Sequence, residues 1–265
     1  MTERAPSEYG AAGHIGVGTP QANPTVEAEF GILLPRACTL HVARMTSRAA
    51  EPEQRLRDYL DRLDDWLATY DALRPDAFGF ACTGSSYLVG PEAERRITDE
   101  AARRRGYPVE TAARAIVWGL ERLGARRIAL VAPYPPAIVE AARRYWSAAG
   151  IEVLQTARVV TRGTDTRTIY ELTSDRVAEA IAGLRRDGAE ALLLSGTGMP
   201  SLAALAASSA GIPAISSNSC LAARLLDLIG RHDWLEPGEP AIRGWRWRYD
   251  EARRVTPPVP EPARR

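Results

Sequence analysis

Ala77-Phe78-Gly79-Phe80-Ala81-Cys82-Thr83-Gly84 and Ala191-Leu192-Leu193-Leu194-Ser195-Gly196-Thr197-Gly198 are two apolar runs that end in the same small, hydroxyl-rich loop. A second matching pair lies upstream of them. His14-Ile15-Gly16-Val17-Gly18-Thr19-Pro20 matches Arg127-Ile128-Ala129-Leu130-Val131-Ala132-Pro133. Pro20 and Cys82 are 62 residues apart, Pro133 and Gly196 63. Two matches whose spacing agrees to within one residue argue for two similar halves. The alternation of elements says what each half is. Short apolar runs predict strands at Ile15–Gly18, Thr39–Ala43, Ala77–Ala81, Ile128–Val131, Ala191–Ser195 and Ala214–Ser216. Amphipathic runs predict helices at Gln54–Leu73, Pro91–Arg104, Thr111–Leu123, Pro136–Ala149, Ser174–Arg186 and Leu221–Ile229. Leu56, Tyr59, Leu60 and Leu63 form one helical stripe. Strands alternating with helices predict right-handed βαβ units and a mostly parallel sheet. The expected organisation is a flexible leader over residues 1–13, α/β halves over 14–110 and 111–230, and a Pro/Arg-rich, poorly ordered tail over 231–265. Trp234, Trp245 and Trp247 are expected to pin the start of that tail to the body.

Composition removes several function classes. The 34 basic residues are all arginine, against 33 acidic ones, for a net charge of +1. Without lysine there is no Schiff base, no Walker-type P-loop and no phosphate-pairing kinase lysine. A near-neutral chain also has no global field to draw nucleic acid. Three cysteines do not form a disulfide framework, and no apolar stretch is long enough for a signal peptide or membrane helix. The expectation is a cytoplasmic protein with reduced thiols and no membrane or nucleic-acid partner.

The chemistry concentrates where the repeated strands end. In open α/β sheets, ligands sit outside the carboxyl ends of the strands. Two facing halves would make one cleft lined by the Pro20, Cys82, Pro133 and Gly196 loops. Thr83-Gly84-Ser85-Ser86 offers backbone N–H groups and hydroxyls to an anion, a carboxylate being the natural guest. The same donors and the following helix start are expected to lower the Cys82 thiol pKa. Ser195-Gly196-Thr197-Gly198 repeats the donors without a thiol. The cleft is thus symmetric for anions and asymmetric for proton transfer. The plain alternative for Cys82 is a small core residue.

These segments resemble the aspartate/glutamate racemase superfamily, in its maleate isomerase and arylmalonate decarboxylase branch. The resemblance spans roughly residues 15–229. It rests on Gly18-Thr19-Pro20-Gln21-Ala22-Asn23-Pro24-Thr25-Val26-Glu27, Leu40-His41-Val42-Ala43-Arg44-Met45, Ala81-Cys82-Thr83-Gly84-Ser85, Ala132-Pro133-Tyr134, Leu194-Ser195-Gly196-Thr197-Gly198 and Ile215-Ser216-Ser217-Asn218, in that order. It implies two pseudo-symmetric flavodoxin-like halves around a cleft, and no metal or organic cofactor. It implies Cys82 as nucleophile or base at the substrate carbon. Asn23 and Tyr134 would hold a substrate carboxylate, with Thr83 and Thr197 on the anion-holding loops. The chain departs from the pattern at Gly196, where racemases and maleate isomerases of this family carry a second cysteine. The decarboxylase keeps one cysteine in the other half, so this chain looks like its mirror image.

One thiol constrains the reaction. Two-base racemisation loses a partner. Decarboxylation needs preorganised donors for an enediolate and one acid. Cis–trans isomerisation needs one nucleophile that adds and leaves. The expectation is a cofactor-independent isomerase or decarboxylase acting on a small mono- or dicarboxylic acid through Cys82. Pro20, Asn23, Thr83, Gly84, Ser85, Tyr134, Gly196, Thr197 and Gly198 would bind substrate. The alternatives are a non-catalytic carboxylate-binding protein, or an amino-acid or hydantoin racemase with a second base other than cysteine. Self-association is left open, Trp66, Trp118 and Trp146 being candidates for either core or interface.

Other signals weigh less. Gly16-x-Gly18 lacks the third glycine of a dinucleotide fingerprint, Gln21 standing in its place, and no Gly-x-Ser-x-Gly elbow occurs. Cys38-x-x-His41 has a metal-like spacing but lies in a predicted strand, where positions i and i+3 face opposite sides. Arg44 ends a strand, where it could reach a second carboxylate or serve in a surface ion pair.

Overall fold

The computed structural model describes residues 8–163, 165–208 and 211–255. The first half holds β1 (Gly13–Pro20), β2 (Cys38–Met45), β3 (Ala77–Phe80) and β4 (Val109–Thr111), all parallel, in the order β2-β1-β3-β4. The second holds β5 (Arg127–Ala132), β6 (Glu152–Arg158), β7 (Ala191–Leu194) and β8 (Ala214–Ser216), in the equivalent order β6-β5-β7-β8. The chain is therefore α/β, with two pseudo-symmetric, flavodoxin-like halves. One detail shows how closely the halves agree. The Ala81 N–H donates to Gly18 O at 2.8 Å, and the Ser195 N–H donates to Val131 O at 2.8 Å. Cys82 and Gly196 thus leave equivalent ladders at equivalent points. β1, β3 and β7 are buried along their whole length, as central parallel strands should be.

The helices are α1 (Thr25–Leu33), α2 (Pro52–Asp61), α3 (Leu63–Ala68), α4 (Thr83–Val89), α5 (Pro91–Arg105), α6 (Ala112–Arg122), α7 (Pro136–Ala148), α8 (Ser174–Ala182), α9 (Leu202–Ala207), α10 (Ser217–Leu228) and α11 (Trp245–Val255). The halves join by exchanging helix contacts. α7 packs on α4, while α10 packs on α6 and β3. Gly119 makes the α6–α10 crossing close: a Cβ there would stand 2.9 Å from the Cys220 sulfur. That thiol is fully buried and pushed up to about 12 by desolvation, so it is core.

Three expectations change. The predicted Gln54–Leu73 helix breaks at Arg62, whose φ of −100° and ψ of 25° leave the helical region, giving α2 and α3. β4 and β6 were not expected; β4 has three residues, and β6 is half-exposed without an apolar run. Over residues 235–255 the chain folds against the body where composition predicted poor order. Leu235 pairs with Ile242, Trp245 is buried, and α11 follows. Arg248 explains the anchoring: its guanidinium donates to Ile32 O at 2.7 Å and Leu33 O at 2.6 Å, capping α1. Trp234 packs partly buried against the core, whereas Trp247 is exposed. Thr256-Pro257-Pro258-Val259-Pro260 and the first part of the expected leader lie outside the described residues. Trp66 and Trp146 are buried, and Trp118 lies half-buried beneath Arg122 and Arg224. Among the described residues no helix is long and apolar enough to cross a membrane.

Candidate active site

Cys82 is the residue at which β3 becomes α4. Its φ of −152° and ψ of 93° are extended, and the helix starts at the next residue. Ser85 Oγ donates to the Cys82 sulfur at 3.2 Å, and the Gly84 and Ser85 N–H groups also point to it. These donors favour a thiolate, yet Cys82 is 5% exposed and burial outweighs them. The net direction is up, so the thiol is held protonated, the reverse of the lowering the loop sequence predicts. Composition shows donors; it does not show how thoroughly the halves exclude water.

The loops meet around Tyr134. The Tyr134 hydroxyl shares a 2.7 Å hydrogen bond with Thr83 Oγ1 and receives the Gly84 N–H. Thr197 Oγ1 donates across the halves to Ala81 O at 2.8 Å, beside Cys82. Asn23 is fully buried. Its Oδ1 accepts the Thr25 N–H at 2.9 Å, which leaves the amide NH2 turned toward Thr197 Oγ1 at 3.5 Å. That contact is long for a hydrogen bond, so the NH2 keeps donor capacity for an anion. Arg44 holds the turn, donating to Asn23 O at 2.7 Å and Gln21 O at 3.3 Å and pairing with Glu27. Arg44 therefore positions Asn23 and sits in an ion pair. The structure brings together the Pro20–Asn23, Cys82–Ser85, Tyr134 and Gly196–Gly198 segments that the sequence singles out.

Gly196 differs from expectation. The sequence reading counts its loop among the anion donors and Gly196 among the substrate-binding residues. Its N–H instead donates to Ser217 Oγ at 2.9 Å. Its φ is +135°, and a Cβ would stand 3.0 Å from Pro133 Cδ and 3.6 Å from the Tyr134 hydroxyl. The position does face the Thr83–Tyr134 pair, but a side chain there is strained. Gly196→Cys is expected to lose ~1–3 kcal/mol of stability from backbone strain alone. Thermal unfolding beside Gly196→Ala checks this: both midpoints should fall, and two unchanged midpoints would mean that the loop relaxes.

Several cleft residues were not legible in the sequence. Tyr59, Tyr170 and the buried Arg55 close one side. Glu29 on α1 crosses to the second half, where its carboxylate accepts the Ser201 and Leu202 N–H groups, Ser201 Oγ and Asn218 Nδ2. Asn218 Nδ2 also donates to Thr197 O at 3.0 Å, so Glu29 helps to place that loop. A repeat search cannot find such cross-half partners, since each belongs to one half only. Among the described residues no group of three or more His, Cys, Asp or Glu could hold a metal. In the Cys38-x-x-His41 pair, His41 hydrogen-bonds His14 at 2.9 Å, and Cys38 is half-buried.

Residues 53–238 match the family model for arylmalonate decarboxylase. The chain belongs to the arylmalonate decarboxylase family. It is 28% identical over 228 residues to a maleate isomerase of Geobacillus stearothermophilus, covering 80% of this chain and 90% of that protein. Its fold matches a Nocardia farcinica maleate cis-trans isomerase mutant that carries a covalently bound succinylcysteine intermediate. The TM-score is 0.75 at 24% identity, over 88% of this chain and 98% of that one. It also matches an arylmalonate decarboxylase structure at a TM-score of 0.67 and 20% identity, over 85% and 96% of the two chains.

Proposed function

We propose that the chain is a cofactor-independent enzyme that decarboxylates a small malonate-type acid, with Cys82 as proton donor. The observation that carries this reading is the single thiol of Cys82, buried beside the Asn23 amide and the Thr83, Tyr134 and Thr197 hydroxyls, with burial pushing its pKa up. Asn23 Nδ2 and the Thr83–Tyr134 hydroxyl pair hold the carboxylate that remains. The bond from the α-carbon to the other carboxylate breaks, and its electron pair stays as an enediolate while CO2 leaves. The donors that held the carboxylate now face a fuller charge, which is where preorganised dipoles lower a barrier. Cys82 then gives its proton to the α-carbon. The resulting thiolate receives the Ser85 hydroxyl and the Gly84 and Ser85 N–H groups, and it is reprotonated from solvent after product leaves.

A second reading is cis–trans isomerisation, favoured by the maleate isomerase name of the relative that this chain matches over nine-tenths of its length. There the Cys82 sulfur would add to the double bond, the new single bond would rotate, and the sulfur would leave. One panel separates the two: aryl- and alkylmalonates and maleate, assayed without added cofactor in D2O. The first reading expects CO2 release and one deuterium at the α-carbon of the product. Fumarate from maleate, with no CO2 from any malonate, would overturn it in favour of the second.

A further inference from the structure

A pocket of about 250 Å³ opens where the two halves meet beside these loops. Gln21 and Ala22 line it from the end of β1, Arg48 from the segment after β2, Arg55 and Tyr59 from α2, and Arg167 and Tyr170 from the second half. It adjoins the Cys82 site on two sides. Leu56, next to Arg55, would touch a Cβ at Gly84 at 3.2 Å, and the Tyr170 ring would meet a Cβ at Gly198 at 2.6 Å.

Its charge is one-sided: three arginines face one carboxylate. Arg55 is 5% exposed, gives one nitrogen to Ala50 O at 2.8 Å and pairs across the cleft with Asp165. The same Asp165 receives Arg167 through its Nε at 3.0 Å and Nη2 at 2.7 Å. Arg48 makes no ion pair among the described residues. A buried guanidinium without a counter-ion is strongly unfavourable. Asp165 therefore supplies the counter-ion that the buried Arg55 needs. An incoming carboxylate would exchange like for like on Arg55, with no new charge buried unpaired, while Asp165 keeps the exposed Arg167.

We propose that this pocket is a second anion site, which takes the remote carboxylate of a substrate whose reacting end lies at Cys82, with Asp165 as the resident stand-in. It rests on the reading of the Cys82 loops as a carboxylate site, and it narrows the substrate class to acids with a spacer between two anionic ends. Neutral aryl or alkyl arms fit the same space but leave the arginines to Asp165.

Calorimetric binding of phenylacetate and 4-carboxyphenylacetate tests it without turnover. The dianion should bind about tenfold tighter, the equivalent of ~1.4 kcal/mol. Arg167→Gln should bring the ratio of the two affinities toward one. Asp165→Asn removes the competitor and should raise that ratio. A purely structural ion pair predicts the opposite, a lower ratio as the arginines lose their anchor, and that result would overturn the proposal. So would equal affinities in the parent. Failure of both acids to bind would bring down the carboxylate reading of the Cys82 loops, and this site with it.

Discussion

Cys82→Ala is expected to lower turnover at least ~10³-fold, because no other thiol stands at the site to protonate or attack the substrate carbon. The other two cysteines cannot substitute. Cys220 is buried between α6 and α10, and Cys38 begins β2, at the opposite end of that strand from the cleft. Binding should weaken much less than turnover, since Asn23, Thr83, Tyr134 and Thr197 are untouched. The measurement is kcat beside the affinity for a non-reacting carboxylate. Turnover retained in the variant would end the Cys82 mechanism under either reaction.

The pH profile of the parent tells the two roles of Cys82 apart. Burial raises the thiol above its ordinary value of 9.0. An acid must be protonated to act, so decarboxylation should hold its rate through neutral pH and fall only as pH rises past that raised value. A thiolate nucleophile has the opposite sign, with a rate that climbs as pH rises. A rising limb between pH ~7 and ~9 would therefore move the assignment to addition chemistry.

The strand-end loops were legible because each lies in a repeated segment, and repetition gives a position meaning beyond its local composition. Asn23 and Tyr134 were singled out only by the family resemblance, through short motifs beside those loops. The side walls carry no such signal. Arg55 and Tyr59 occupy one amphipathic helix, and only the docking of the second half shows that they face Asp165 and Tyr170. The structure of residues 235–255 was hidden for a related reason. α11 is rich in arginine and reads as solvated, yet Arg248 serves the carbonyls at the end of α1, a contact between residues over 200 positions apart. The direction of the Cys82 shift is not legible in the sequence, because helix starts and hydroxyls appear there, whereas desolvation is a property of the assembled halves.

Glu29→Ala is expected to be the most destabilising single change outside the apolar core, at about 3–5 kcal/mol, as for a buried polar group that loses its partner. Four donors depend on that carboxylate: the Ser201 N–H at 2.5 Å, Ser201 Oγ and Asn218 Nδ2 at 2.8 Å, and the Leu202 N–H at 3.2 Å. Alanine leaves the Ser201 and Leu202 N–H groups buried and unpaired at the start of α9, while Ser201 Oγ keeps Ser216 Oγ at 2.9 Å and Asn218 Nδ2 keeps Thr197 O at 3.0 Å. Against a total stability of roughly 5–15 kcal/mol, that should lower the unfolding midpoint by about 10 °C. The pH dependence sets the donors against burial. Desolvation is the larger effect, so the folded-state pKa of Glu29 lies above its ordinary value of 4.5. A carboxyl raised in the folded state contributes most below its unfolded pKa and less as pH rises through its folded pKa. The gap between parent and Glu29→Ala should therefore be widest in acid and narrow as Glu29 ionises. Glu29→Gln cannot ionise, so its stability relative to the parent should improve over the same range. A gap that widens as pH rises would mean that the four donors outweigh burial, with Glu29 ionised and held by them alone.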